Sequence, residues 1–450
     1  MNQAWQKYLA SNAPRYTSFP SALFFDDRVD ARVFSNALSE IAPYEPLSLY
    51  LHVPFCKQLC WYCGCNMSVE NNYGRASVYT QTLIREIELA ARHLKARGEI
   101  VSIHFGGGTP NFLSQDDLGR IFDAVELNLG LTDKTHIAME IDPRHCPPGL
   151  IRALAAFGVN RFSIGVQDFD IRVQTAINRI QPYELIEECV AEMRACGIDD
   201  ISFDLLYGLP YQSPAVFATT LKKAESLSPD RISLFGYAHL PARLKHQRLL
   251  PEEHLPDRNA RYALSQQADH FFVEHGYCRV GFDHFAKPDN PLALAAMTGK
   301  LRRNFQGFTD DIAENVIGLG ASAISLVKGV YAQNAKRTDQ YIQQIEAGQL
   351  AVERGWVCTS EDAVHGRIIA DLLCGMRADL NQYFASAGSS FPGKISEIRE
   401  KLAPYIADGI AIWEDGKITI PEQARPFSRV VASIFDPYIE AEQKSLTQAV

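Results

Sequence analysis

The sequence predicts an α/β fold: a partial, TIM-like (βα)6 barrel, with an N-terminal segment before it and a small, mostly helical domain after it. Three observations point there. Apolar, strand-like runs recur at 47–53, 100–105, 136–142, 161–167, 200–206 and 231–237. Helical patterns lie between them at 77–97, 115–129, 148–157, 183–196 and 214–227, with another at 259–275. Strands alternating with helices of this length imply parallel βαβ units, and six units fall short of the eight that close a full barrel. The third observation is that glycine-rich or polar features end successive strands: a cysteine loop, Gly106–Thr109, Glu140, Gln167, Asp204 and Ala238. In βα barrels that rim carries the chemistry.

Each element has local support. Ser114-x-x-Asp117 fits a capping box ahead of the second helix. Ser213-Pro214 places an N-cap before a proline at the first helical position. Gly98, Gly158 and Gly197 stand where helices should end. Residues 1–35 show no long helical period, so 1–46 reads as a segment outside the repeats, placed to act as a lid. The barrel with accessory strands spans 47–350, with Tyr277–Phe285 and Val316–Leu326 adding strand or turn structure beside it. Residues 351–450 read as a winged-helix-like domain, whose stretch 410–420 is a hairpin turning at Asp415-Gly416. Gly318-Leu-Gly-Ala-Ser-Ala323 has dinucleotide-fingerprint spacing but opens no βαβ unit, so it reads as close backbone packing around Ile324.

Composition narrows the function classes. The 450 residues are 46% hydrophobic and 22% charged, as in ordinary globular proteins. The net charge of −9 is spread without blocks, which argues against a nucleic-acid surface. No signal-peptide core or membrane-length apolar run is present, and ten cysteines without a signal read as cytoplasmic thiols and metal ligands. The twelve histidines show no metal-ligand spacing.

Four cysteines fall within ten residues: Cys56, Cys60, Cys63 and Cys65. The first three form a C-x3-C-x2-C pattern. Thiolates suit zinc or iron–sulfur clusters, but structural zinc usually needs a second knuckle, and none exists. Ferredoxin runs use four ligands at other spacings. Three close ligands point to a [4Fe–4S] cluster with one iron left open for a substrate or cofactor.

This spacing resembles the radical S-adenosylmethionine (SAM) superfamily. The segments APRYTSFPSA (13–22), CGCN (63–66), FGGGTP (105–110), GVQDF (165–169), DLLYGLP (204–210), FGYAHLP (235–241), GFDHFAKP (281–288) and NFQGFT (304–309) together resemble the oxygen-independent coproporphyrinogen III oxidases. The resemblance implies a three-quarter barrel. It also implies a cluster on Cys56, Cys60 and Cys63, with Cys65 nearby but not a ligand. Tyr50, Gly107, Glu140 and Ile324 would contact the cluster-bound SAM, and Tyr62, Gly108, Thr109, Gln167, Arg179, Asp204 and Ala238 a second SAM position. Tyr62 stands where the family has phenylalanine; Gln167, Arg179 and Asp204 could instead form a structural polar network. Arg15 and Gln306, in RYTSFP and NFQGFT, would serve catalysis, with Arg302 and Arg303 as further candidates to grip substrate carboxylates. His52 and His284 fall inside matched segments.

The implied reaction turns two propionates of coproporphyrinogen III into the vinyls of protoporphyrinogen IX, with two SAM consumed per product. The implied partners are this substrate and a reduced flavodoxin or ferredoxin-type electron donor, with no nucleic acid and no membrane span, in a monomer. The competing readings are a haem chaperone of the same superfamily, a haem-ring-opening radical SAM methyltransferase, and a pure electron carrier. The first usually lacks RYTSFP, the second cysteine of CGC and NFQG; the second typically lacks CGC; the third has no use for the glycine turn, Glu140 or a barrel.

Overall fold

The computed structural model describes residues 3–95, 98–386, 392–439 and 447–448. Residues 96–97 of the expected first helix, and 1–2, 387–391, 440–446 and 449–450 of the expected terminal domains, lie outside the described residues. Six strands follow the expected order: β1 (Pro46–Val53), β2 (Glu99–Gly107), β3 (His136–Ile141), β4 (Arg161–Gln167), β5 (Asp200–Tyr207) and β6 (Arg231–Gly236). The crossover helices are α1 (Tyr73–His93), α2 (Gln115–Leu129), α3 (Leu150–Ala156), α4 (Tyr183–Ala195) and α5 (Pro214–Ser226); α6 (Arg258–Glu274) follows β6. All neighbouring pairs from β1 to β6 are parallel.

The sheet then extends at both ends. β7 (Cys278–Val280) and β8 (His284–Ala286) add antiparallel beyond β6. β9 (Asn315–Leu319) pairs parallel with the free edge of β1, so a seventh parallel strand is present where the sequence suggested only accessory structure. The antiparallel strands β10 (Ile324–Val327), β11 (Val330–Asn334) and β12 (Val352–Val357) complete a twelve-stranded open sheet. No described helix is long and apolar enough to cross a membrane.

The two faces of the parallel strands differ. Leu47, Leu49, Leu51 and Val53 of β1 are fully buried in the main core with residues of α1 and α2. The alternate positions carry polar groups: Ser48, Tyr50 and His52 on β1, Ser102 and His104 on β2, Glu140 on β3, Ser163 on β4 and Asp204 on β5. Side chains alternate faces along a strand, so these share the other, inner face. Ser102 Oγ donates to Ser48 Oγ at 3.0 Å, His104 Nε2 meets Glu140 Oε1 at 3.0 Å, and Ser163 Oγ donates to Asp204 at 3.3 Å. The interior is therefore a polar site rather than an apolar plug.

Several local expectations are refined. Ser114 accepts from the Asp117 amide, but the Asp117 carboxylate accepts from Tyr73 and Arg120 rather than closing a reciprocal box. Ser213 caps α5 with Pro214 at its first turn. Gly158 and Gly197 take positive φ of 95° and 78° after their helices. Gly98 is not a cap: a Cβ there would lie 2.3 Å from Leu47 Cδ1. Asp415 and Gly416 (φ 47° and 81°) turn the hairpin that joins Ile412–Glu414 to Lys417–Thr419. The N-terminal segment divides: Tyr8, Leu9, Ala13, Tyr16 and Phe19 pack in a second core with Ile368, Leu372, Phe427 and other C-terminal residues, while Phe34, Leu38 and Ile41 join the barrel core.

A buried carboxylate ties α1 to the turn after β9. Glu86 accepts from the Gly320 amide (2.6 Å), Asn334 Nδ2 (2.6 Å) and Tyr341 Oη (2.7 Å). Burial pushes its carboxyl up to about 7. Glu86→Ala leaves three donors without their acceptor, at about 1–3 kcal/mol each, so denaturant titration should show a loss of several kcal/mol. The unfolded chain ionises Glu86 near its ordinary 4.5, before the folded chain does. The Glu86 contribution to stability should therefore fall as pH rises from about 4.5 towards 7, and Glu86→Gln should abolish that slope.

Candidate active site

The cysteine loop leaves the end of β1 and is held from two sides. Asn178 Nδ2, in the turn after β4, donates to Leu59 O at 2.8 Å, and the Trp61 amide donates to Ile177 O at 3.0 Å. From the segment after β6, His246 Nε2 lies 2.7 Å from Cys63 O and Gln247 Nε2 donates to Tyr62 O at 3.2 Å. Cys60 is buried, Cys56 and Cys63 are half-buried, and Cys65 is exposed. Thr109 Oγ1 lies 3.2 Å from Cys56 Sγ, and the Cys65 amide donates to Cys63 Sγ at 3.4 Å.

Two guanidiniums converge on Cys60 Sγ: Arg144 Nη2 at 3.4 Å and Arg179 Nη1 at 3.6 Å. Both also bind Asp142, at 2.6 and 3.3 Å. Burial pushes the Asp142 carboxyl up, but Arg179 and Arg144 outweigh it and hold it well below the usual carboxylate range. Burial pushes the Cys56 thiol up to about 12, so metal binding there must displace a proton. Among the described residues no group of three His, Cys, Asp or Glu side chains is placed to hold a metal ion. The separated thiols of Cys56, Cys60 and Cys63, flanked by Arg144 and Arg179, would suit an iron–sulfur cluster better than a lone ion.

The glycine turn after β2 packs against β1 so tightly that side chains are excluded. A Cβ on Gly107 (φ 118°) would lie 2.6 Å from His52 Cε1, and one on Gly108 2.9 Å from Phe55 O. A Cβ on Gly106 would lie 2.8 Å from Glu140 Oε1 and 3.0 Å from Tyr50 Cε2, which sets Tyr50, Glu140 and the turn side by side. Glu140 accepts from the Gly107 amide at 3.3 Å yet keeps 41% of its side chain exposed, leaving oxygen surface for a ligand. Tyr50 Oη shares a 3.0 Å hydrogen bond with His52 Nδ1. Ile324 reaches this group through its backbone: a Cβ on Gly318, the register partner of Tyr50, would lie 2.5 Å from Ile324 O. The Gly318–Ala323 stretch joins β9 to the antiparallel β10, so it is no dinucleotide loop.

Gln167 ends β4 buried, with φ 67°. Arg179 is engaged by the protein itself: Nε and Nη2 donate to Gly165 O at 3.2 and 2.7 Å, besides Asp142 and Cys60. Burial, reinforced by Glu140, pushes Asp204 up to about 6. Gln247 Nε2 bridges the carbonyls of Tyr62 and Ala238, each at 3.2 Å.

Arg15 and Gln306 lie apart from the cysteines, in a cavity of about 1580 Å³ between the ends of β5 and β6, α6, the N-terminal segment and the C-terminal residues around Arg425 and Arg429. Ala238 lines it and so joins it to the cysteine side; His284 lines it too, and His52 does not. Arg15 Nη2 donates to Gly236 O at 3.2 Å. Arg303 faces the cavity, but Arg302 does not: its Nη1 donates to Ile312 O and Ala313 O, at 2.8 and 2.9 Å. Sequence reasoning missed Asp142, Arg144, His246, Gln247 and Arg261. Asp142-Pro-Arg144 directly follows the third strand, a position that could have drawn notice; His246 and Gln247 lie in a stretch without periodicity.

A Radical SAM superfamily model matches residues 50–224. The chain is 40% identical over 437 residues to the oxygen-independent coproporphyrinogen III oxidase of Cereibacter sphaeroides, covering 96% of each. It is 37% identical over 439 residues to the protein of the same name from Escherichia coli, covering 98% of this chain and 95% of that one. Among solved structures it resembles the coproporphyrinogen III oxidase of Escherichia coli, described as a radical SAM enzyme, with a TM-score of 0.90 at 36% identity over 94% of this chain and 97% of that chain.

The Asp142 pair of contacts is open to a direct test. Asp142→Ala strands two buried guanidiniums, and removing one partner from a buried ion pair costs about 3–5 kcal/mol. Denaturation should show a loss of that order, and anaerobic reconstitution should give lower iron content than the unmodified chain.

Proposed function

Because the chain belongs to the oxygen-independent coproporphyrinogen III oxidases of the radical SAM superfamily, we propose that the cysteine rim and the arginine-lined cavity are the cofactor and substrate halves of one active site. The enzyme converts coproporphyrinogen III to protoporphyrinogen IX without oxygen, in porphyrin and haem synthesis. Two propionates each give up a hydrogen atom from the β-carbon, then CO2 and one electron, which passes to a terminal electron acceptor, and become vinyls. Its cofactors are a [4Fe–4S] cluster and SAM, which together supply a 5′-deoxyadenosyl radical able to take hydrogen from a propionate β-carbon.

Cys56, Cys60 and Cys63 hold the cluster, and Cys65 stands beside it. Arg144 and Arg179 hydrogen-bond to the Cys60 sulfur and fix where it points. Glu140, Tyr50, the Gly107 backbone and the Ile324 backbone hold SAM, the Glu140 carboxylate suiting its ammonium or ribose hydroxyls. Tyr62, Gly108, Thr109, Gln167, Asp204 and Ala238 border a second SAM position, with Arg179 acting there mainly through Cys60 and Asp142. Two SAM are consumed per product, one for each decarboxylation. Arg15 pairs with a propionate while its segment keeps water from the reacting carbon, and Gln306 contributes a polar group from the same wall. The observation that carries this reading is the cavity itself: Ala238, on the cysteine side, and the exposed guanidinium of Arg15 open into one space.

The same proposal extends to context. A reduced flavodoxin or ferredoxin-type protein delivers electrons, and the enzyme acts as a cytoplasmic monomer; ten free thiols suit a reducing compartment. The working division is a lid at 1–46, the barrel with its accessory strands at 47–350 and a C-terminal domain at 351–450.

The central test is anaerobic incubation of reconstituted protein with coproporphyrinogen III, SAM and a reductant; absence of protoporphyrinogen IX would refute the assignment. Among Cys→Ser variants, those at 56, 60 and 63 should lose the iron–sulfur absorbance and the one at 65 should retain it. Glu140→Ala should weaken SAM binding by about 10-fold or more and suppress 5′-deoxyadenosine formation. Arg15→Ala removes a charge-assisted pair of about 1.5–3 kcal/mol, or about 10–100-fold in substrate affinity. It should raise the ratio of 5′-deoxyadenosine to CO2, measured side by side; an unchanged ratio at full activity would remove Arg15 from the site.

A further inference from the structure

The cavity holds cations without the acids that buried cations normally need. Among the described residues, Arg15, Arg261 and Arg303 line it and make no ion pair, whereas its neighbours Arg279 and Arg425 are paired with Asp269 and Glu422. Of the other lining carboxylates, Asp257 caps α6 by accepting from the Ala260 amide, and Asp283 lies 2.5 Å from His284 Nδ1 and adds its field to Arg303. Arg429 comes close enough to add its field to those of Arg15 and Arg303.

Both inner guanidiniums occupy built seats. Arg261 lies over two strand ends: a Cβ on Gly208 would fall 2.5 Å from its Nη1, and one on Gly236 3.2 Å from its Nη2. Gly208 has φ 86°, so glycine both shapes the turn and clears the space. Arg261 Nη1 donates to Tyr237 O at 2.7 Å, while its Nε is buried without a partner among the described residues. Arg303 is gripped between rings, 5.0 Å from the Phe282 centroid and 4.5 Å from that of Phe308. Its Nη2 donates to Arg15 O, its Nε to Arg15 O and Tyr16 O, and its Nη1 is buried without a partner among the described residues. Burial lowers the proton affinity of both groups, opposed at Arg303 by Asp283 and at Arg261 by Tyr207, and the like charge of Arg15 adds to the lowering.

Two half-buried guanidiniums, Arg261 and Arg303, and the exposed one of Arg15 gather positive charge that no acid among the described residues pairs with, which is unfavourable until anions enter. We infer that Arg261 and Arg303, together with Arg15, form a clamp that takes at least two carboxylates of the substrate at once. This rests on the assignment of coproporphyrinogen III as substrate and adds the residues that count its carboxylates. The clamp explains a need of the chemistry: two of the four propionates survive both decarboxylations, so a pair of carboxylates is available to be held in each round. The fork geometry of arginine suits carboxylates better than a lysine ammonium would.

The test compares ligands of different carboxylate number on reconstituted, anaerobic enzyme. Coproporphyrinogen III carries four carboxylates, and etioporphyrinogen III carries none on a ring of similar size. The unmodified enzyme should bind the tetracarboxylate at least about 10-fold more tightly. Arg261→Met and Arg303→Met should each weaken its binding by about 10-fold or more and narrow the gap between the two ligands. Arg261→Lys should restore part of the loss, which a purely structural role in bonding Tyr237 O would not link to carboxylate number. Should Arg303→Met fail to fold, because it also holds the carbonyls of Arg15 and Tyr16, the Arg261 variants decide. Equal affinity of the unmodified enzyme for both ligands, or an unchanged gap in Arg261→Met, overturns the clamp. If the unmodified enzyme makes protoporphyrinogen IX while either of those results is found, the clamp fails and the functional assignment stands. If it makes none, the assignment fails first.

Discussion

Two guanidiniums, Arg144 and Arg179, share the Asp142 carboxylate and point at one sulfur, Cys60. The contact joins three parts of the chain: the loop after β1, the residues just after β3 and the turn after β4. A buried carboxylate between two buried arginines is favourable only if all three remain in place, since loss of any one strands the others. The cysteine loop thereby inherits its position from the barrel instead of from its own short sequence. Asn178, in that same turn after β4, and Gln247, after β6, add neutral bonds.

The rim is built by exclusion as much as by contact. At Gly106, Gly107 and Gly108 any side chain would strike Glu140, His52 or the Phe55 backbone. The missing side chains let the turn lie flat against β1, bringing Tyr50, Glu140 and exposed backbone to one surface. A second pair of glycines, Gly208 and Gly236, performs the same service for Arg261 on the far strands. Glycine thus allows close packing against β1 on one side of the sheet and clears space for a cation on the other.

These two regions meet at the end of β6. Gly236 O receives Arg15, Tyr237 O receives Arg261, and Ala238 O receives Gln247, which also holds Tyr62 in the cysteine loop. Three consecutive carbonyls therefore connect the N-terminal segment, the arginines of the cavity and the cysteine loop. Movement of the N-terminal segment would be felt at Gly236 and, through the next two residues, at the cysteine side. That linkage suits an enzyme whose radical must meet substrate only in a closed space.

By itself the sequence determined the order of strands and helices, the cysteine loop and the rim positions, because periodicity and short spacings are properties of local chain. The segments that resemble known oxidases also carried the family and its reaction. It did not reveal that 315–319 forms a seventh parallel strand, since its partner β1 lies far away in the chain. Nor could it choose between Arg302 and Arg303: neighbours on a strand point to opposite faces, and only the surrounding fold decides which face is the cavity. Asp142 and Arg144 stayed silent for the same reason, their meaning resting on a sulfur more than eighty residues away. Arg261 lies in the helical pattern at 259–275 with no motif to mark it, and two distant glycines show where its guanidinium lies. Which charges are paired, and which await a ligand, is a question of distance in space, and only the tertiary structure answers it.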